Sequence, residues 1–290
     1  MSIVEYMDHY GETIYDGYAV RDWLIHNADV AMFVAGLYLT LTFKGAALLS
    51  WSGKIDAKSK PLWLRGIWTV WNLLLSGFSL YGTTRVTPVL LHRIRDGGLH
   101  HTLCTLDADT FYRGRTGMAI GLFALSKGPE FIDSILLLLS GKPGLSFQQW
   151  FHHVTTFLFT WHAYAVGSSA LQFAAVLNYT VHTIMYFYFA LAEAGLKALV
   201  RPFAVYITIL QILQMVLGTI LALLLLTYKL QAYYQDGTTK GPGSCSGTTW
   251  SDLRLHLFIV VVNLIMFMNL FIKSYFSKPR SKTTPLNKNK

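Results

Sequence analysis

Two adjacent histidines, His152 and His153, stand in the apolar run FQQWFHHVTTFLFTWHAY over 147–164. Imidazole is costly in hydrocarbon, and an ionisable group at bilayer depth marks a site or a specific pairing. It also titrates near neutral pH and can serve as general base or covalent nucleophile. Gln149 lies three residues before His152 and four before His153, so on a helix the three share a face. A lone histidine would read as a core hydrogen-bonding group; a pair with an amide one turn back points to chemistry, with Gln149 placed to orient the ring of His152.

Three more stripes follow the same logic. Lys127, Glu130 and Asp133 recur every third residue, which predicts one charged face on a helix spanning 118–139. Charges facing lipid are expensive, so these must turn inward and pair, as a structural network or as part of a site. Asn178, His182 and Tyr186 are four apart, and Thr208, Gln211 and Gln214 three apart. Amides in a membrane either bind helices together or line a polar cavity. Four polar stripes on four apolar helices predict a core built round a polar chamber. Asn72, a strongly polar residue inside its apolar run, reads as glue between helices.

The elements that carry these stripes follow from composition. Of 290 residues, 53% are hydrophobic and 13% charged, about half the charge of an average soluble domain. Mean hydropathy is +0.39. Apolar runs near the ~20 residues a spanning helix needs occur at 30–50, 67–90, 118–139, 147–166, 171–191, 204–226 and 255–272. The fold class is therefore all-α, a polytopic membrane protein of seven transmembrane helices enclosing the polar chamber. Residues 1–29 form an amino-terminal segment, 30–275 the membrane domain and 276–290 a basic tail. No basic start with a short apolar core precedes the first run, so no cleavable signal peptide is expected.

Charge sets the topology. The formal net charge of +9 is distributed mainly over the loops and tail, which argues against nucleic acid as a partner and for the lipid bilayer. Glu5, Asp8, Glu12, Asp16, Asp22 and Asp29 crowd the amino-terminal segment. Lys54, Lys58, Lys60 and Arg65 mark the first connecting loop, and Lys278, Arg280, Lys282, Lys288 and Lys290 the tail. Basic residues identify the cytoplasmic side, which leaves the amino terminus lumenal. Residues 141–144, Gly-Lys-Pro-Gly, make a tight cytoplasmic turn before the histidine helix. Cys104, in a loop over 92–115, and Cys245, in a loop over 228–254, then both face the lumen. There they are expected to pair as a disulfide, two free thiols being the alternative.

The motifs together resemble the ELO family of very-long-chain fatty acid elongases, 3-ketoacyl-CoA synthases of the endoplasmic reticulum. Its K-x-x-E-x-x-D is met by Lys127, Glu130 and Asp133, and its H-x-x-H-H box by His152 and His153, with Trp161 following. N-x-x-x-H-x-x-M-Y is met by Asn178, His182, Met185 and Tyr186, and T-x-x-Q-x-x-Q by Thr208, Gln211 and Gln214. Gln149 replaces the first histidine of the box, as in elongases of microalgae and protists acting on delta-9 polyunsaturated C18 chains.

The resemblance implies condensation of acyl-CoA with malonyl-CoA. His152 would be the nucleophile, with His153, His182 and Gln149 in the catalytic set. Asn178, Gln149, Gln211 and Gln214 would hydrogen-bond thioester oxygens, and the charged stripe, Tyr186 and Thr208 would complete the substrate site. Lys142, Lys197 and Arg201 would meet CoA phosphates. No cofactor and no metal are implied. The partners are the two thioester substrates and the other enzymes of the elongation cycle; a homodimer is left open.

A histidine-box di-iron desaturase or hydroxylase needs more nitrogen ligands than His152, His153, His162 and His182 offer, and no H-x-x-x-H occurs. A transporter would show broken helices in matching halves. The topology makes a direct prediction: protease added to sealed microsomes should remove a tag at the carboxyl end and spare one at the amino end, and the reverse pattern would overturn it.

Overall fold

The computed structural model describes residues 1–49, 60–142, 144–236 and 245–276, and among these the chain is helical with no strand. Lys54, Lys58, Pro143 and the basic tail with Lys278, Arg280, Lys282, Lys288 and Lys290 lie outside the described residues.

The chain opens with two short helices. α1 (Ile3–Thr13) starts in a capping box between Ser2 and Glu5, and α2 (Gly17–His26) is capped by Asp16. They do not stand apart from the bundle. α1 packs on α6 (Gly114–Ser126), and α2 on α8 (Phe147–Val166). Arg85 clamps Asp8 with two bonds of 2.7 Å and holds its carboxyl below the usual range.

The apolar α3 (Ala28–Leu49) follows, and then the longest helix, α4 (Leu62–Cys104). Residues 92–104 are helical rather than a loop. Pro88 lies inside α4, and the kink comes at Gly98, whose φ of 77° suits glycine. The polar turns before it hold together through a His92–Asp96 pair of 2.8 Å and an Arg93 bond of 2.9 Å to Gln172.

α5 (Ala108–Tyr112) is a single capped turn. The single helix expected over 118–139 is instead two, α6 and α7 (Phe131–Leu139), separated by turns. Pro129 supplies no backbone donor and Gly128 resists helix, so the break falls inside the charged stripe.

α8 begins at Ser146 and ends at Gly167, whose φ of 68° makes a left-handed cap. α9 (Ser169–Leu191) runs into a wide turn, Ala192–Leu196, where Gly195 has φ 105°. Arg65 clamps that turn by donating twice to the Glu193 carbonyl, at 3.1 and 3.0 Å. After α10 (Lys197–Val200) come α11 (Ala204–Asp236), longer than its apolar run, and α12 (Trp250–Tyr275).

Among the described residues three stretches are long and apolar enough to cross a membrane: Ala28–Gly45, Ser169–Gln235 and Trp250–Tyr275. The middle one contains α9 to α11. α4 lies along α9, and α11 along α12. The core between α6, α8 and α9 holds Tyr164 and Tyr179, both buried. Their hydroxyls are satisfied, Tyr179 donating to the Ala119 carbonyl at 2.8 Å and Tyr164 sharing a 2.8 Å bond with Tyr15. Such pairing is what makes a buried phenol tolerable.

Cys104 at the end of α4 and Cys245 before α12 are joined as a disulfide across 141 residues. Backbone bonds of 2.7 Å run from Gly247 to Cys104 and from Ser169 to Gly247, so the bridge ties α4, α9 and α12 at one end of the bundle. Replacing both cysteines by serine should lower stability by about 2–5 kcal/mol, read by thermal unfolding in detergent. An unchanged midpoint would show that the backbone bonds hold these segments unaided.

Candidate active site

The charged stripe survives the break between α6 and α7 because the intervening turns keep helix-like spacing. Lys127 and Glu130 are 4% and 5% exposed. Lys127 Nζ donates to Glu130 Oε1 at 2.5 Å and to Asn178 Oδ1 at 3.0 Å, and lies 4.5 Å from the centre of the Phe123 ring. Ser126 Oγ donates to the same carboxylate oxygen at 3.2 Å. Two buried charges are tolerable only when paired and hydrogen-bonded, and both are. Asp133 stands apart from this pair: Trp71 Nε1 donates to Oδ1 at 2.6 Å and Tyr186 Oη to Oδ2 at 2.8 Å.

The chain of bonds continues along α9. Asn178 Nδ2 is 2.9 Å from His182 Nε2, and the His182 ring meets Tyr186 edge-on at 5.1 Å. Glu130, Lys127, Asn178 and His182 therefore form one line of contacts linking the α6–α7 break to the middle of α9. The i, i+4 spacing of Asn178 and His182 is what lets their side chains meet.

On α8 the arrangement differs from the one the spacing suggests. Gln149 Oε1 accepts from Ser146 N and Ser146 Oγ, each at 3.2 Å, and so closes a capping box. The ring of His152 is held instead by α12: Nδ1 lies 2.9 Å from Asn263 Oδ1. Asn263 is 1% exposed, and its Nδ2 donates to the Ile259 carbonyl at 2.8 Å. Sequence reasoning passed over Asn263; its only signal was a strongly polar residue within the run VVVNLIMF of the last helix. His153 meets the stacked rings of Tyr38 and Phe131 edge-on, at 6.3 and 6.4 Å.

These groups surround a cavity of about 890 Å³. Glu130, Asp133, Gln149, His152, His153, Asn178, His182, Tyr186, Thr208, Gln211 and Gln214 line it. Lys142, Lys197, Lys60 and Glu193 also line it, and Lys60 pairs with Glu193 at 2.6 Å over the face of Trp68. Arg201 is not among the lining residues. Asn72 lines the cavity too, but its amide donates to Trp68 O of its own helix at 2.8 Å rather than joining two helices. Gln211 Nε2 approaches Met185 Sδ at 3.0 Å, and Thr208 bonds back to Ala204 O at 3.1 Å.

Lys127 faces a smaller, largely apolar pocket of about 70 Å³, which shares Glu130, His152, Asn178, His182 and Gln214 with the large one. A polar compartment thus meets an apolar one at the two histidines. That suits a ligand with a polar head and a hydrocarbon tail.

Helical throughout the described residues, with membrane-length apolar helices around a histidine-lined cavity, the chain has the build of an integral membrane protein. A family model described as ELO, GNS1/SUR4 family, matches residues 23–283, and the chain belongs to that family. It is 43% identical over 274 residues to fatty acid elongase 1 of Trypanosoma cruzi, covering 90% of this chain and 91% of the relative. It is 41% identical over 284 residues to fatty acid elongase 1 of Trypanosoma brucei brucei, covering 94% and 90%. Fatty acid elongase 2 of the latter organism is 38% identical over 271 residues, covering 93% and 97%.

Lys127→Met should destabilise the folded protein by about 3–5 kcal/mol, because Glu130 is left buried without its cation. Adding Glu130→Leu should recover part of the loss. Thermal unfolding of the single and double variants checks this, and additive losses would show that the two charges do not support each other.

Proposed function

We propose that this chain is a fatty acid elongase, an acyltransferase that condenses an acyl-CoA with malonyl-CoA to give a 3-ketoacyl-CoA, carbon dioxide and CoA. In this reading it is a multi-pass protein of the endoplasmic reticulum with seven spans, a lumenal amino terminus and a cytoplasmic carboxyl terminus. The membrane domain covers 30–275. Family membership supports the activity. The observation that carries the mechanism is the placing of His152 and His182 where the polar and apolar compartments meet.

The reaction runs in two halves. The acyl-CoA lies with its thioester at the two histidines, the first carbons of its tail at the apolar pocket and its CoA among Lys60, Lys142 and Lys197. His152 Nε2 attacks the thioester carbonyl; the new C–N bond replaces the C–S bond, and CoA leaves as a thiolate with the electron pair. The product is an acylimidazolium on His152, shielded from water by its apolar surroundings. Malonyl-CoA then loses carbon dioxide, and the C–C pair becomes an enolate, whose oxygen the His182 ring stabilises. The enolate carbon attacks the acyl carbonyl, the C–N pair returns to Nε2, and His152 is regenerated neutral. Asp133, Tyr186, Gln211 and Gln214 position the two thioesters, and no metal or cofactor takes part.

The supporting reason for a polyunsaturated C18 substrate is Gln149 in the box, which acts through the resemblance. In the structure its side chain closes the α8 capping box at the wall of the cavity.

Enzyme incubated with acyl-CoA alone should release about one equivalent of CoA and gain an acyl mass on the peptide containing His152. His152→Ala should abolish both, and His182→Ala should slow the malonyl-dependent step at least as much as the first. Absence of burst and adduct, with kinetics requiring both substrates bound together, would reduce His152 to a general base in a ternary complex.

A further inference from the structure

Two of the histidines lining the cavity, His152 and His182, each meet an asparagine, and each amide has its orientation fixed by a partner that can act in only one way. Asn263 Nδ2 donates to the Ile259 carbonyl, which can only accept, at 2.8 Å. Its Oδ1 is therefore the atom turned to His152, and an amide oxygen can only accept. The 2.9 Å contact with His152 Nδ1 requires a proton on Nδ1. The neutral ring then carries its lone pair on Nε2, and among the described residues nothing bonds to that atom.

At His182 the logic inverts. Lys127 Nζ can only donate, and its 3.0 Å contact fixes Asn178 Oδ1 as the acceptor. Asn178 Nδ2 is then turned to His182 Nε2 at 2.9 Å. Two facing N–H groups would repel, so Nε2 holds the lone pair and is occupied by the amide. The ring proton of His182 sits on Nδ1.

We propose that Asn263 and Asn178 are positioning residues that set opposite roles for two identical side chains. Asn263 makes His152 the histidine with a free basic nitrogen. Asn178, itself aimed by Lys127 and Glu130, takes up the basic nitrogen of His182 and leaves that ring able only to donate. The nucleophile and the enolate-stabilising donor are thereby distinguished without any difference in residue type. The assignment deepens the two-step reading above and rests on it for its kinetic consequence, although the tautomers themselves stand on geometry alone. The same division explains the use of asparagine: a carboxylate beside His182 would accept from Nε2–H and turn its tautomer round.

The tautomers can be read directly from protein labelled with ¹⁵N-histidine in detergent, with His152→Ala and His182→Ala used to assign the signals. A pyridine-type signal from His152 Nε2 and a pyrrole-type signal from His152 Nδ1 are expected, and the reverse pattern would overturn the proposal whatever the kinetics. In single-turnover assays Asn263→Leu should slow CoA release from acyl-CoA alone by about tenfold or more, since a catalytic histidine held in the wrong tautomer can lose up to about 10⁴-fold. Asn263→Asp, which still accepts from Nδ1–H, should restore most of that rate. Asn178→Asp should slow the malonyl-dependent step more strongly than the first release.

Should Asn263→Leu not fold, the wild-type spectrum and the Asn263→Asp burst decide, because a carboxylate that fails to support acylation in a folded protein contradicts the role. Equal loss of both half-reactions in the Asn263 and Asn178 variants would also overturn it. A wild type with no burst but with the expected nitrogen signals would instead refute the covalent step and leave the tautomer assignment intact.

Discussion

Everything in the site leans on one buried contact, the pair between Lys127 and Glu130. An ammonium and a carboxylate inside an apolar bundle are each prohibitive alone and become tolerable only together, with Ser126 and Asn178 taking up further hydrogen-bonding capacity. That requirement fixes the geometry of the α6–α7 break, since both charges must stay within reach while Pro129 interrupts the helix. It also fixes the side chain of Asn178, which cannot rotate without presenting a donor to a donor. Through Asn178 the constraint passes to His182, so an interaction with no reacting atom in it determines how a ring in the cavity is presented.

The large cavity keeps its polar groups in order by the same means. Asp133 is held by Trp71 and Tyr186, His152 by Asn263, and Gln149 by Ser146. Most of these bonds join different helices, so the polar lining works as crosslinks in a bundle whose apolar faces offer little directional preference. A site built this way is preorganised by its scaffold, and its donors and acceptors need little rearrangement when a charged intermediate forms.

The stripes at 127–133, 149–153, 178–186 and 208–214 could be read from the sequence because helical spacing places them on one face, and a polar residue in an apolar run stands out. The partners within those stripes could not. Gln149 and His152 have the right separation for contact, yet Gln149 lies in the first turn of α8, where unpaired backbone donors compete for its side chain. Asn263 reaches His152 from 111 residues away, a pairing that no local pattern encodes. The helical continuation of α4 through 92–104 was hidden for a related reason. Hydropathy falls where the residues turn polar, but the hydrogen-bonded helix does not end there. The third apolar run looked continuous because length and hydropathy outweighed Gly128 and Pro129, whose backbone preferences decided the matter.

The placing of Asn263 on the last described helix has a consequence for how the protein comes into being. During biosynthesis α8 and α9 are complete long before α12 leaves the ribosome, and the nascent bundle lacks the acceptor that holds His152. The disulfide has the same order in time, because Cys104 must wait for Cys245, only a few residues ahead of α12. Docking of one helix therefore closes the covalent link and completes the nucleophile's setting together. A chain stalled or truncated before α12 would carry His152, His153 and His182 and still lack the contact that orients the first of them.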